Sequence, residues 1–133
     1  MPPEKVRKGS PRDWLLHAGS DLELARIGKS PGVLFETLCF HAHQAVEKAI
    51  KAVLIAHKIS IIKSHNIGAL IKLLPEDIKR LPELKEAISL TDYAVLSRYP
   101  GDLEPVTEKE YKDSVELAEK VIQWAERSIT KTS

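Results

Sequence analysis

Four side chains in one stretch could do chemistry together. His41, Gln44, Lys48 and Lys51 follow one another at spacings of three, four and three. On a helix such spacings place side chains on one face. An imidazole, an amide and two ammonium groups on one face can hold an anion, above all a phosphate. The imidazole can also move a proton near neutral pH. His43 and Glu47 stand beside them, four apart, and a histidine and a carboxylate at that spacing can share a metal. A helical metal site needs a third ligand from elsewhere, and no H-E-x-x-H pattern is present. With Glu36, these residues also have the composition of a solvated helix face. Solvated face, anion or nucleotide surface, and metal site are therefore the three readings of this cluster.

Further candidates lie outside this stretch. Arg98 and Tyr99 sit in SRYPGD, where a helix must end before Pro100. The Arg98 guanidinium offers a planar fork of donors suited to phosphate or carboxylate, and Tyr99 adds a ring and a hydroxyl. The alternative is a helix C-terminus, with Arg98 on its last carbonyls and Tyr99 packed on the end of the fold. His65 lies in SHN beside residues that can cap a helix, so it belongs either to loop hydrogen bonding or to the anion site. Cys39 is the only cysteine, which excludes an intrachain disulfide and a multi-cysteine zinc site. It lies at the edge of an apolar face and reads as a small buried residue. No phosphate-binding glycine loop, dinucleotide fingerprint or nucleophile elbow occurs.

The elements that position these residues follow from periodicity. Residues 33–58 contain no glycine or proline, and their apolar positions recur at three and four, which predicts one long helix. Its apolar arc covers about half the wheel at roughly 100° per residue, enough to pack against two or more neighbours. A first helix is predicted to run to about Gly28, capped by Ser10 or Asp13, with Pro11 near its first turn. It carries two apolar faces. Trp14, Ala18, Leu22 and Ala25 form one, while Leu16, Leu24 and Ile27 form a nearly opposite one that is a candidate surface for self-association. GKSPG then turns the chain. ISIIKS at 59–64 reads as an extended connector, and Ser64 or Asn66 caps a short helix over 66–74 ended by Pro75. Residues 75–82 form a turn, and a helix follows over 83–98. Thr107 with Glu110 is a capping-box signature for a last helix running to about 129. Residues 1–10 are expected to be poorly ordered, and residues 11–130 to form one domain. The expected fold is all-α, an up-and-down four-helix bundle with an additional short helix.

Composition narrows the function. The formal net charge is +1 and aromatics make up 5% of the chain. The chain as a whole is thus no electrostatic nucleic-acid binder, and it lacks the aromatic platforms that stack bases. No apolar run reaches the length of a membrane span, and the N-terminus lacks the apolar centre of a signal peptide, so a cytoplasmic protein with no membrane partner is expected.

FHAHQAVEKAIKAVL, then HNI before a leucine-rich helix, then RYP at 98–100, resemble the HEPN domain family over roughly residues 13–129. The most telling part is the Q-A-x-E-K-x-x-K core, Gln44, Ala45, Glu47, Lys48 and Lys51. The resemblance implies a four-helix core that commonly forms homodimers. It also implies frequent pairing with a minimal nucleotidyltransferase, often as a toxin–antitoxin system. Many members are metal-independent RNases with an Arg-x4–6-His motif, but no histidine follows Arg98 at such a spacing. The formal match is Arg12 with His17, at the start of the first helix rather than on a later one. Side chains five apart point about 140° apart on a helix and do not converge within one chain. The expected function is therefore a binding module without enzymatic activity, a homodimer that contacts a nucleotide, RNA or a nucleotidyltransferase partner through His41, Gln44, Lys48, Lys51, His65, Arg98 and Tyr99. Neither a cofactor nor a metal is expected. The alternatives are a metal-independent endoribonuclease, with His41 or His65 beside Arg98 standing in for the missing motif, and a purely structural dimerisation module.

Overall fold

The computed structural model describes residues 6–28, 30–61, 63–64, 66–78, 82–87 and 106–132. Among them every regular element is a helix, as periodicity predicts: α1 (Pro11–Ala25), α2 (Phe35–Ala56), α3 (Ile67–Lys72), α4 (Pro82–Ala87) and α5 (Glu108–Thr132). Residues 88–98, which complete the helix expected over 83–98, lie outside the described residues, as do residues 1–5.

Local chemistry sets the helix ends. Ser10 caps α1: its hydroxyl accepts from the Asp13 amide at 3.2 Å, while Asp13 accepts from the Gly9 amide at 2.8 Å. Asn66, rather than Ser64, caps α3 by accepting from the Ala69 amide. Ser64 instead braces Asn66, accepting from its amide. The capping box at α5 is reciprocal, with the Thr107 amide bonded to Glu110 Oε1 at 3.0 Å and the Glu110 amide to Thr107 Oγ1 at 3.1 Å. After α1 the chain turns through Gly28 and Gly32, both at φ +82, a backbone region where a side chain would be strained.

Helix α2 ends differently from any signal in its sequence. The Lys58 amide bonds the Ile55 carbonyl and the Ile59 amide bonds the Leu54 carbonyl, each at 2.9 Å. This is a Schellman closure, which needs a left-handed residue after the cap. That residue is Lys58, at φ +60, where glycine is usual.

Helix α2 is the centre of the molecule and packs against α1, α3 and α5; α5 also meets α1 and α4. Trp14 of α1 lies beside Lys51, and Asp21 lies beside His41 and Lys48, so α1 and α2 run antiparallel. Small side chains make close approach possible: Ala42, Ala45, Ala49 and Ala52 of α2 are fully buried, with Ala18 and Ala25 of α1 and Ala118 and Ala125 of α5. Ile50, Val53, Leu54, Ile67, Leu70 and Val121 fill the space between them. A second apolar group, Leu38, Cys39, Val106 and Tyr111, seals the start of α2 against the start of α5.

The two faces of α1 separate as its sequence predicts. Ala18, Leu22 and Ala25 are buried, whereas Leu16, Leu24 and Ile27 remain 63%, 43% and 60% exposed.

Candidate functional site

The predicted site residues of α2 divide between two carboxylates. His41 Nδ1 lies 3.1 Å from Asp21 Oδ1, and Lys48 Nζ donates to Asp21 Oδ2 at 2.6 Å. Asp21 of α1 therefore holds both, and Gln44, three residues after His41 and four before Lys48, sits half-buried between them. All three side chains of this ion-paired group are only partly screened from water: about a quarter of the His41 and Lys48 side chains and 13% of Asp21 is exposed. Phe40 stands at its border, exposed, with its ring edge-on to His41 at 5.7 Å.

Lys51 belongs to a different environment. Its Nζ donates to Glu47 Oε1 at 2.8 Å and lies 5.4 Å from the Trp14 ring centroid, within cation–π range. Both charges are buried. A charge leaves water only when it is paired and hydrogen-bonded, and here each satisfies the other. His43 is buried on the same side.

The polar half of α2 is thus not one continuous solvated face, and this corrects the reading of it as such a face. Glu47, His43 and Lys51 turn inward because α2 is the central helix, covered on more sides than a peripheral helix of the same sequence would be. His43 and Glu47 do not gain a third ligand: among the described residues no three His, Cys, Asp or Glu side chains come together as a metal site. Of the remaining site residues, His65, Arg98 and Tyr99 lie outside the described residues.

The two residues of the formal Arg-x4–6-His match both lie on α1. His17 Nε2 pairs with Asp13 Oδ1 at 3.4 Å on the surface of α1, and Arg12 is exposed.

Sequence reasoning missed Asp21 and the ring of Trp14 as parts of this region. Asp21 is separated from His41 by 20 residues and from Lys48 by 27, so no local spacing announces the contact. A signal did exist. On the α1 wheel Asp21 falls beside Trp14, at the margin of the apolar face, where a carboxylate must find a partner on the neighbouring helix.

Comparison with known proteins gives a consistent pattern. The sequence profile of the HEPN domain matches residues 11–128. No curated protein matches the chain. Among solved structures, the crystal structure of TT1696 from Thermus thermophilus is similar over 90% of this chain and 98% of its own, with a TM-score of 0.76 and 30% identity. That of ST0689, an archaeal HEPN homologue, covers the same shares with a TM-score of 0.66 and 26% identity.

Proposed function

This chain belongs to the HEPN family, and on that footing we propose that it is a nucleotide-binding module without enzymatic activity, the partner of a minimal nucleotidyltransferase in a toxin–antitoxin type pair. The observation that carries the reading is the convergence of His41 and Lys48 on Asp21, with Gln44 between them. Asp21 fixes both side chains on the half-exposed seam between α1 and α2. An ammonium and an imidazole held in this way are pre-oriented donors for a phosphate. Lys48 supplies the charge, His41 a directional donor, and Gln44 an amide for a sugar hydroxyl or a base edge. Phe40 offers a ring at the border.

Charge balance limits the affinity. Lys48 is opposed by Asp21, and Lys51 by Glu47, so this face has no surplus of positive charge. A ligand phosphate must share Lys48 with Asp21. One shared phosphate contact to a single strand implies a salt slope of about −0.7 or shallower. The absence of the nuclease motif beside Arg98, and the pairing of His17 with Asp13, favour binding over cleavage.

Calorimetric titration with ATP and with a short single-stranded RNA tests the reading. Lys48→Ala should weaken binding at least tenfold, about 1.4 kcal/mol, with an unchanged circular-dichroism spectrum. RNA incubated with the protein and a chelator should stay intact. Equal binding by wild type and Lys48→Ala ends the nucleotide half of the reading. A gene neighbourhood without a small nucleotidyltransferase reading frame ends the partner half.

A further inference from the structure

An ionised carboxylate accepts hydrogen bonds and donates none. His41 Nδ1 lies 3.1 Å from Asp21 Oδ1, so a neutral His41 keeps its ring proton on Nδ1, shared with Asp21. The other ring nitrogen, Nε2, bonds to no described residue and is not one of the enclosed unpaired atoms, so it meets water on the partly exposed side of the ring. In the neutral ring Nε2 carries a lone pair, which repels a phosphate oxygen. It becomes a donor only when the imidazole takes a second proton.

We propose that Asp21 is a positioning residue that makes phosphate capture at the seam of α1 and α2 conditional on a proton: His41 holds a phosphate as the imidazolium and releases it as the neutral ring. This rests on the nucleotide reading given above and adds the condition under which that site works. Charge leads to the same result. Lys48 Nζ donates to the second oxygen of Asp21 at 2.6 Å, so the positive charge of Lys48 is cancelled where it stands. With a neutral His41 the three side chains offer an incoming anion no net charge. With the imidazolium they offer one positive charge, and the added proton sits on the nitrogen that meets water. Without the carboxylate, a neutral His41 could place its single proton on Nε2 and donate at any pH.

The surroundings of the ring leave this role to Asp21. Among the described residues, Asp21 from α1 and Lys48 from α2 are the charged groups linked to His41, and no charged side chain of α3, α4 or α5 pairs with any of the three. His17, one turn before Asp21 on α1, is turned to Asp13 at 3.4 Å. Glu47 and Lys51 of α2 are buried and bonded to each other at 2.8 Å. Gln44 and Phe40, the remaining neighbours, carry no charge.

Nitrogen-resolved NMR of the imidazoles tests the tautomer without any ligand. At about pH 8.5, above the ordinary histidine range, the His41 ring should carry its proton on Nδ1, its signals being those that His41→Gln removes. Asp21→Asn should release the ring to the Nε2–H form. Calorimetric titration with a short oligouridylate lacking terminal phosphates tests the coupling, since that RNA does not titrate near neutral pH. Wild-type affinity should fall at least about fivefold from about pH 6 to about pH 8, the span in which an imidazole loses its proton. Binding enthalpies measured at the upper pH in buffers of different ionisation enthalpy should report proton uptake. His41→Gln should abolish the uptake, Asp21→Asn should at least halve it, and His17→Gln should leave it unchanged. A neutral His41 with its proton on Nε2 in wild type overturns the role of Asp21 and leaves the nucleotide reading untouched. RNA bound equally at both pH values, or an uptake that persists in His41→Gln, overturns the proton requirement. RNA bound at neither pH ends phosphate capture at this seam, and the nucleotide reading with it.

Discussion

Tyr111 of α5 donates its hydroxyl to the main-chain carbonyl of Ala25, the last residue of α1, at 2.6 Å. The last carbonyls of a helix have no partner within it, so this bond supplies one from another element. Phe35, at the start of α2, stacks on the Tyr111 ring with centroids 5.1 Å apart. One side chain thereby joins the end of α1, the start of α2 and the first turns of α5. Tyr111→Phe keeps the stacking and leaves a buried carbonyl without its donor. Urea denaturation should show a loss of about 1–3 kcal/mol; a change below the error of the measurement would mean that water replaces the hydroxyl.

The same residue sets an alkaline limit. Burial, the main cause, pushes the Tyr111 hydroxyl above its ordinary value of 10.0. The folded state therefore holds this proton more tightly than the unfolded chain does. The resulting stability is fully present below the unfolded value and is lost as pH rises through the folded one. Stability should fall above about pH 10, and Tyr111→Phe should flatten that limb relative to wild type. Parallel alkaline limbs in the two proteins would assign the loss to other groups.

The buried pair of Glu47 and Lys51 predicts a strong asymmetry. Glu47→Ala strands the Lys51 ammonium inside the protein, and a charge left unpaired in this way costs about 3–5 kcal/mol. Replacing both, as Glu47→Leu with Lys51→Met, removes the two desolvated charges together and should cost far less than the single change. Equal midpoints of chemical denaturation for the single and double variants would show that the pair is not energetically coupled.

Lys58 is strained where it stands. Its left-handed backbone closes the Schellman motif after α2, and a non-glycine residue there costs about 1–2 kcal/mol. Lys58→Gly should keep both closing hydrogen bonds and raise stability by about 1 kcal/mol. A destabilised variant would mean that the lysine stem contributes more than its backbone costs.

What could be read from the sequence is what repeats or pairs locally. The capping box of Thr107 and Glu110 spans three residues, and the structure contains both of its bonds. The periodicity of α2 and the two faces of α1 likewise depend only on neighbours along the chain. The polar face of α2 stays open among three readings in the sequence because periodicity tells which residues share a side and not how many helices cover it. Glu47 and Lys51 look solvated until α1 places Trp14 beside them. Asp21 was hidden for the same reason, since its partners come from the next helix. The ending of α2 was illegible because lysine carries no turn signal at position 58, and the hydrogen bonds alone impose its conformation. HEPN membership could be read because the most telling part of the motif lies within a single helix, α2.

Cys39 has one further consequence. Its thiol is wholly enclosed and donates to Ser114 Oγ across the seam between α2 and α5, at 3.8 Å. A modifying reagent can reach it only when those two helices part. The pace at which this one sulfur is labelled, in a protein at equilibrium and without denaturant, therefore reports the opening of the seam between α2 and α5.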